Sequence, residues 1–82
     1  MQPPYRPEEI AAELMEAAKR AGLVIRRLDV MPDTVRGVWA IRVDGPGGGT
    51  QRLTFPFASP RGIYTPAEIG EWMVRGGWPF GF

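Results

Sequence analysis

Apolar and polar residues alternate with a period of two across residues 35–43 and again across residues 53–57. That periodicity is the mark of β-strands with one buried face. Between the runs stands Asp44-Gly45-Pro46-Gly47-Gly48-Gly49, a turn-forming stretch, so the two strands (35–44 and 50–57) form a hairpin. Side chains alternate across a strand, which puts Gly37, Trp39, Ile41 and Val43 on one face. Arg36, Val38, Ala40, Arg42 and Asp44 share the other. In the second strand Leu53, Phe55 and Phe57 oppose Arg52 and Thr54. The hairpin has one greasy face and one arginine-bearing face.

A helical period governs residues 7–21, where Ile10, Leu14, Ala17, Ala18 and Ala21 form one apolar stripe. Pro7 suits the first helical position, and Glu8 and Glu9 complement the positive end of the helix dipole. Lys19 and Arg20 complement its negative end, and Gly22 is placed to close the helix in a left-handed conformation. The many alanines predict close approach to a sheet. Residues 23–30 read as a strand with Val24, Leu28 and Val30 on one side and Ile25, Arg27 and Asp29 on the other. Met31-Pro32-Asp33-Thr34 reads as the turn that follows. After a loop around Ser59-Pro60-Arg61-Gly62, the capping box Thr65-Pro66-Ala67-Glu68 opens a second helix over 66–75. Ile69, Trp72 and Met73 face inward, and a short aromatic tail occupies 76–82. The predicted fold is α+β: a single small domain of order α-β-β-β-α, with a three-stranded antiparallel sheet and both helices on its apolar face.

Composition narrows the chemistry. The chain has 82 residues and neither cysteine nor histidine. Disulfides, thiolate metal sites, zinc fingers and histidine-based catalysis are therefore out of reach. No apolar run approaches the roughly 20 residues that span a bilayer, and the N-terminus lacks a signal-peptide core. A cytoplasmic protein without metal or other cofactor is the expectation. Ser59 is the only serine, and the carboxylate pairs Glu8/Glu9 and Glu13/Glu16 lie on an exposed helix face. No catalytic residue is expected.

Net charge is +1, but it is unevenly spread. Residues 23–64 carry six arginines against three aspartates, while the segments on either side are slightly acidic. Arg27, Arg36, Arg42 and Arg52 are thus expected together on the open sheet face. Guanidinium forks suit carboxylate or phosphate, whereas charges on a solvated face can also serve only to deter strand pairing. The density of Trp78, Phe80 and Phe82 at the end of the chain admits two readings. They either complete a small core or form an apolar docking patch. The glycine-rich turn lacks the lysine and the following helix of a phosphate loop.

The order α-β-β-β-α resembles the double-stranded RNA-binding domain. The positions that contact RNA in that family fall here on Glu9, Glu13 and Glu16, on Met31-Pro32-Asp33-Thr34 and on Thr65-Pro66-Ala67-Glu68, none of them basic. A second resemblance rests on Thr65-Pro66-Ala67-Glu68-Ile69-Gly70-Glu71-Trp72-Met73, followed by Arg75-Gly76-Gly77-Trp78-Pro79-Phe80-Gly81. Across about residues 50–81 the chain is similar to the C-terminal half of some small phage-encoded anti-CRISPR proteins. That resemblance implies a single domain without catalytic residues that binds a bacterial CRISPR effector complex and blocks it. Many such inhibitors are acidic DNA mimics, whereas this chain is near neutral, so blocking a protein surface is the implied mode.

The expected function is a non-enzymatic protein-interaction module of phage or mobile-element origin. Its contacts are Arg27, Arg36, Arg42 and Arg52, with Trp78, Phe80 and Phe82 as apolar anchors. The alternative is a nucleic-acid-binding accessory domain using the same arginines. The open sheet edges also permit a homodimer.

Overall fold

The structure, a computed structural model, describes residues 2–77. Helix α1 (Pro7–Arg20) leads through a short connection to β1 (Arg27–Asp33), β2 (Val38–Asp44) and β3 (Thr50–Pro56). A two-residue pair, β4 (Ala58–Ser59) and β5 (Gly62–Ile63), precedes α2 (Pro66–Trp72), which runs into a π-helical turn over Met73–Gly77. The three long strands form an antiparallel sheet in the order β1-β2-β3, and both helices cover one side of it.

Sequence signals account for the helix boundaries. The Glu9 carboxylate accepts the Arg6 backbone N–H at 3.0 Å, satisfying a donor at the start of α1. At the other end Gly22 has φ +76, and Leu23 and Gly22 N–H groups donate to Ala18 and Lys19 carbonyls. This paired bonding closes the helix through a left-handed glycine. At α2 the Thr65 hydroxyl accepts from Glu68 N–H at 3.2 Å, and the Glu68 carboxylate accepts from Thr65 N–H at 3.0 Å. Both halves of the expected capping box are formed.

The core lies between helices and sheet. Ile10, Leu14 and Ala18 of α1 meet Trp39, Ile41 and Val43 of β2, with Phe55, Phe57, Ile69 and Met73. Trp39 and Phe57 pack edge to face at 4.9 Å, and Phe55 contacts both Tyr64 and Trp72. Of the small residues of α1, Ala18 joins the core cluster with the sheet, and Ala17 lies between the helices. A β-carbon on Gly70 would stand 3.2 Å from Ala17 Cβ, so α1 and α2 touch through an alanine–glycine contact.

Several expected boundaries move. The first strand was expected over 23–30 but spans Arg27–Asp33, so Val24 is 62% exposed and Ile25 packs against the core. Met31-Pro32-Asp33 continues this strand where a turn was expected. Because β1 is an edge strand, a proline without an N–H is tolerated in it. The turn instead occupies 34–37, where Gly37 supplies φ +68 and the Asp33 carboxylate accepts Arg36 N–H at 3.1 Å. Val35, expected in the second strand, is 95% exposed, and that strand starts at Val38. The expected loop around Ser59-Pro60-Arg61-Gly62 contains the β4–β5 pair. The second helix, expected over 66–75, leaves α-geometry after Trp72.

Candidate partner-binding face

The register of the sheet decides which arginines meet. On the face away from the helices, Arg27, Asp44 and Thr50 form one row across β1, β2 and β3. Asp29, Arg42 and Arg52 form the next, and Met31, Ala40 and Thr54 the third. Arg27, Arg42 and Arg52 therefore share the open face, as their alternation required. Arg36 does not. It sits in the β1–β2 turn, where its Nε is 3.9 Å from Asp33 Oδ2. Glycine at position 37 was the available signal, since a turn with positive φ there removes its neighbour from the strand. Trp78, Phe80 and Phe82, the expected apolar anchors, lie outside the described residues.

Most of the face is electrically compensated. Arg27 Nε pairs with Asp29 Oδ2 at 3.0 Å, and Arg42 Nε lies 3.6 Å from Asp44 Oδ1. Asp29 stands opposite Arg42, and Asp44 opposite Arg27, so two arginines and two aspartates form a closed square. The Thr50 hydroxyl donates to Asp44 Oδ1 at 2.7 Å. That hydrogen bond holds the Asp44 carboxyl below its ordinary value of 3.8, with Arg42 and Arg27 adding to it against partial burial.

Arg52 stands outside the square. It is exposed and has no ion-pair partner among the described residues. Its neighbour across the sheet is Arg42. Phe57 N–H donates to the Gly37 carbonyl at 2.8 Å and Gly45 N–H to the Gly49 carbonyl at 3.0 Å. Hydrogen-bonded pairs alternate along an antiparallel ladder, so these two fix Arg42/Arg52 as a non-hydrogen-bonded pair. Cα atoms in such pairs are about 4.5 Å apart, the closer of the two spacings. Like charges so placed repel.

Beside this pair the face dips into an open hollow of about 670 Å³ over Ala40, bordered by Met31, Thr54, Arg42 and Arg52 and, at one end, by the Arg27–Asp29 ion pair. A second concavity, about 450 Å³, gathers Arg26, Arg27 and Arg42 around Asp44 near Gly45 and Gly48. A third, about 490 Å³, lies at the β4–β5 turn and includes Arg61, Tyr64 and Glu68. There Glu68 is engaged by the Thr65 backbone and hydroxyl. No group of three or more acidic side chains able to hold a metal ion occurs among the described residues. No helix among them is long and apolar enough to cross a membrane. The chain matches no family model, no curated protein and no solved structure.

Proposed function

We propose that this chain is a non-enzymatic interaction module that holds a partner protein against the open face of its sheet. The observation carrying this reading is the Arg42/Arg52 pair, two like charges at close cross-strand spacing, of which Arg42 has Asp44 and Asp29 beside it and Arg52 has no acid among the described residues. A partner's carboxylate would relieve that repulsion and gain two charge-assisted contacts. The more specific form, an inhibitor acting in the bacterial cytoplasm on a CRISPR effector complex, is supported only by the likeness of residues 50–81 to anti-CRISPR proteins.

The test is tagged capture from a bacterial lysate with and without nuclease, using wild type, Arg52→Glu and Arg61→Glu. A partner lost with Arg52→Glu, kept with Arg61→Glu and insensitive to nuclease supports the module. Capture unchanged by Arg52→Glu removes it.

Nucleic-acid binding is the second reading, favoured by the three arginines around Asp44 near the glycine turn. It requires nuclease-sensitive capture and direct binding that falls steeply with salt. Self-pairing along β3, one of the two sheet edges, would build a homodimer. Ladder parity turns the Arg52 and Thr54 backbone outward there, while Pro56 offers no N–H. Sedimentation of wild type against Thr54→Pro reads that contact.

A further inference from the structure

Ala40 sits at the centre of the open face, between Met31 and Thr54. Its methyl is small beside the side chains in the neighbouring rows, and the hollow forms above it. Met31 supplies an apolar wall and is 68% exposed. One row along lies the Arg42/Arg52 pair. The hollow and a cation are therefore two residues apart on both strands, Ala40 to Arg42 on β2 and Thr54 to Arg52 on β3, and of the two cations Arg52 is the one without an acid beside it among the described residues.

Two residues of strand span about 6.6 Å, and side chains at that interval project to the same side of an extended chain. On the reading that this face docks a protein, the geometry points to an extended partner segment with an apolar side chain and an acidic one two residues apart. The apolar side chain fills the hollow over Ala40 against Met31. The carboxylate spans Arg52 and Arg42. The segment runs along the strands, because the seat and the cation are separated in that direction.

Nucleic acid fits this hollow less well. Binding of single strands relies on aromatic platforms for the bases, and neither the three rows above nor the fourth, Asp33, Val38 and Pro56, carries an aromatic residue. Trp39 and Phe55 are buried on the opposite side.

The probe is acetyl-Ser-Thr-Phe-Thr-Glu-Thr-Ser-amide, titrated into the isotope-labelled full chain and followed by NMR. Methyl signals of Ala40 and Met31 and Nε–H signals of Arg42 and Arg52 are expected to shift together. A peptide with Gln for Glu, and one with Phe and Glu adjacent, are each expected to bind about fivefold more weakly. Ala40→Leu, which fills the hollow, is expected to cause a similar loss with an unchanged circular dichroism spectrum. Ala40→Val serves if the leucine variant is misfolded. Equal affinity for all three peptides, shifts confined to residues away from the hollow, or no binding at millimolar peptide overturns the inference. If the peptides fail while Arg52→Glu still abolishes capture from lysate, the face survives and the acidic–apolar pairing does not. If capture is indifferent to Arg52→Glu, the face itself is removed.

Discussion

The Thr50 hydroxyl donates to Asp44 Oδ1 at 2.7 Å, joining the first residue of β3 to the last of β2 at the base of the glycine turn. The bond favours the ionised carboxylate, so the folded-state pKa of Asp44 lies below its unfolded value. Its contribution to stability is present above the unfolded value. It is lost as pH falls through the lower folded one. Thr50→Val is expected to raise the Asp44 midpoint toward 3.8 and flatten the acid limb of the stability curve. Carboxyl carbon NMR titration of both proteins measures it, and an unmoved midpoint would show that the hydroxyl is not the cause.

Arg52→Glu should stabilise the fold. It converts a close like-charge pair into an opposite-charge pair, worth about 0.5 kcal/mol at an exposed cross-strand position. For a domain of this size that is roughly 2–4 °C in Tm, shrinking as salt screens the charges. Thermal melts at two ionic strengths test it. A variant that melts higher yet loses its partner would separate binding from folding at one residue. No rise in Tm would mean that the two guanidinium groups avoid one another.

Gly70 of α2 packs against Ala17 and Glu13 of α1. The added methyl of Gly70→Ala would gain up to about 1 kcal/mol of helix propensity but stand 3.2 Å from Ala17 Cβ, so little net change is expected. Gly70→Val adds further bulk at the same contact and should cost about 1–3 kcal/mol. Urea denaturation of both variants checks the order. A valine variant as stable as wild type would mean that the helices separate freely.

Thr65→Ala removes the acceptor for Glu68 N–H and half of the capping box. The expected loss is about 1 kcal/mol. Since α2 has only seven α-helical residues, the effect should concentrate in the amide exchange of its first turn. Unchanged protection there would place the stability of α2 wholly in its packing.

Residues with strong local signals could be placed from their neighbours alone. Glycine at 22 followed a complete amphipathic stripe, and Thr65 preceded Glu68 by three positions, so the end of one helix and the start of the other were legible. Alternation across β2 likewise assigned Trp39, Ile41 and Val43 to the core. Pro32 misled, because a proline reads as a turn until the strand containing it proves to lie at an edge. Arg36 followed from that error, since displacing the turn carried it off the sheet.

By itself the sequence determined the α+β order, the greasy and charged faces of the hairpin, and the absence of cysteine and histidine chemistry. Those depend on periodicity and composition, which act within a few residues. Tertiary structure alone decided that Arg27 and Arg42 are compensated while Arg52 is not. Cross-strand register sets that outcome, and register depends on where each turn closes the chain. The arginine-bearing face predicted from alternation is thus a largely neutral surface with one surplus cation beside a hollow.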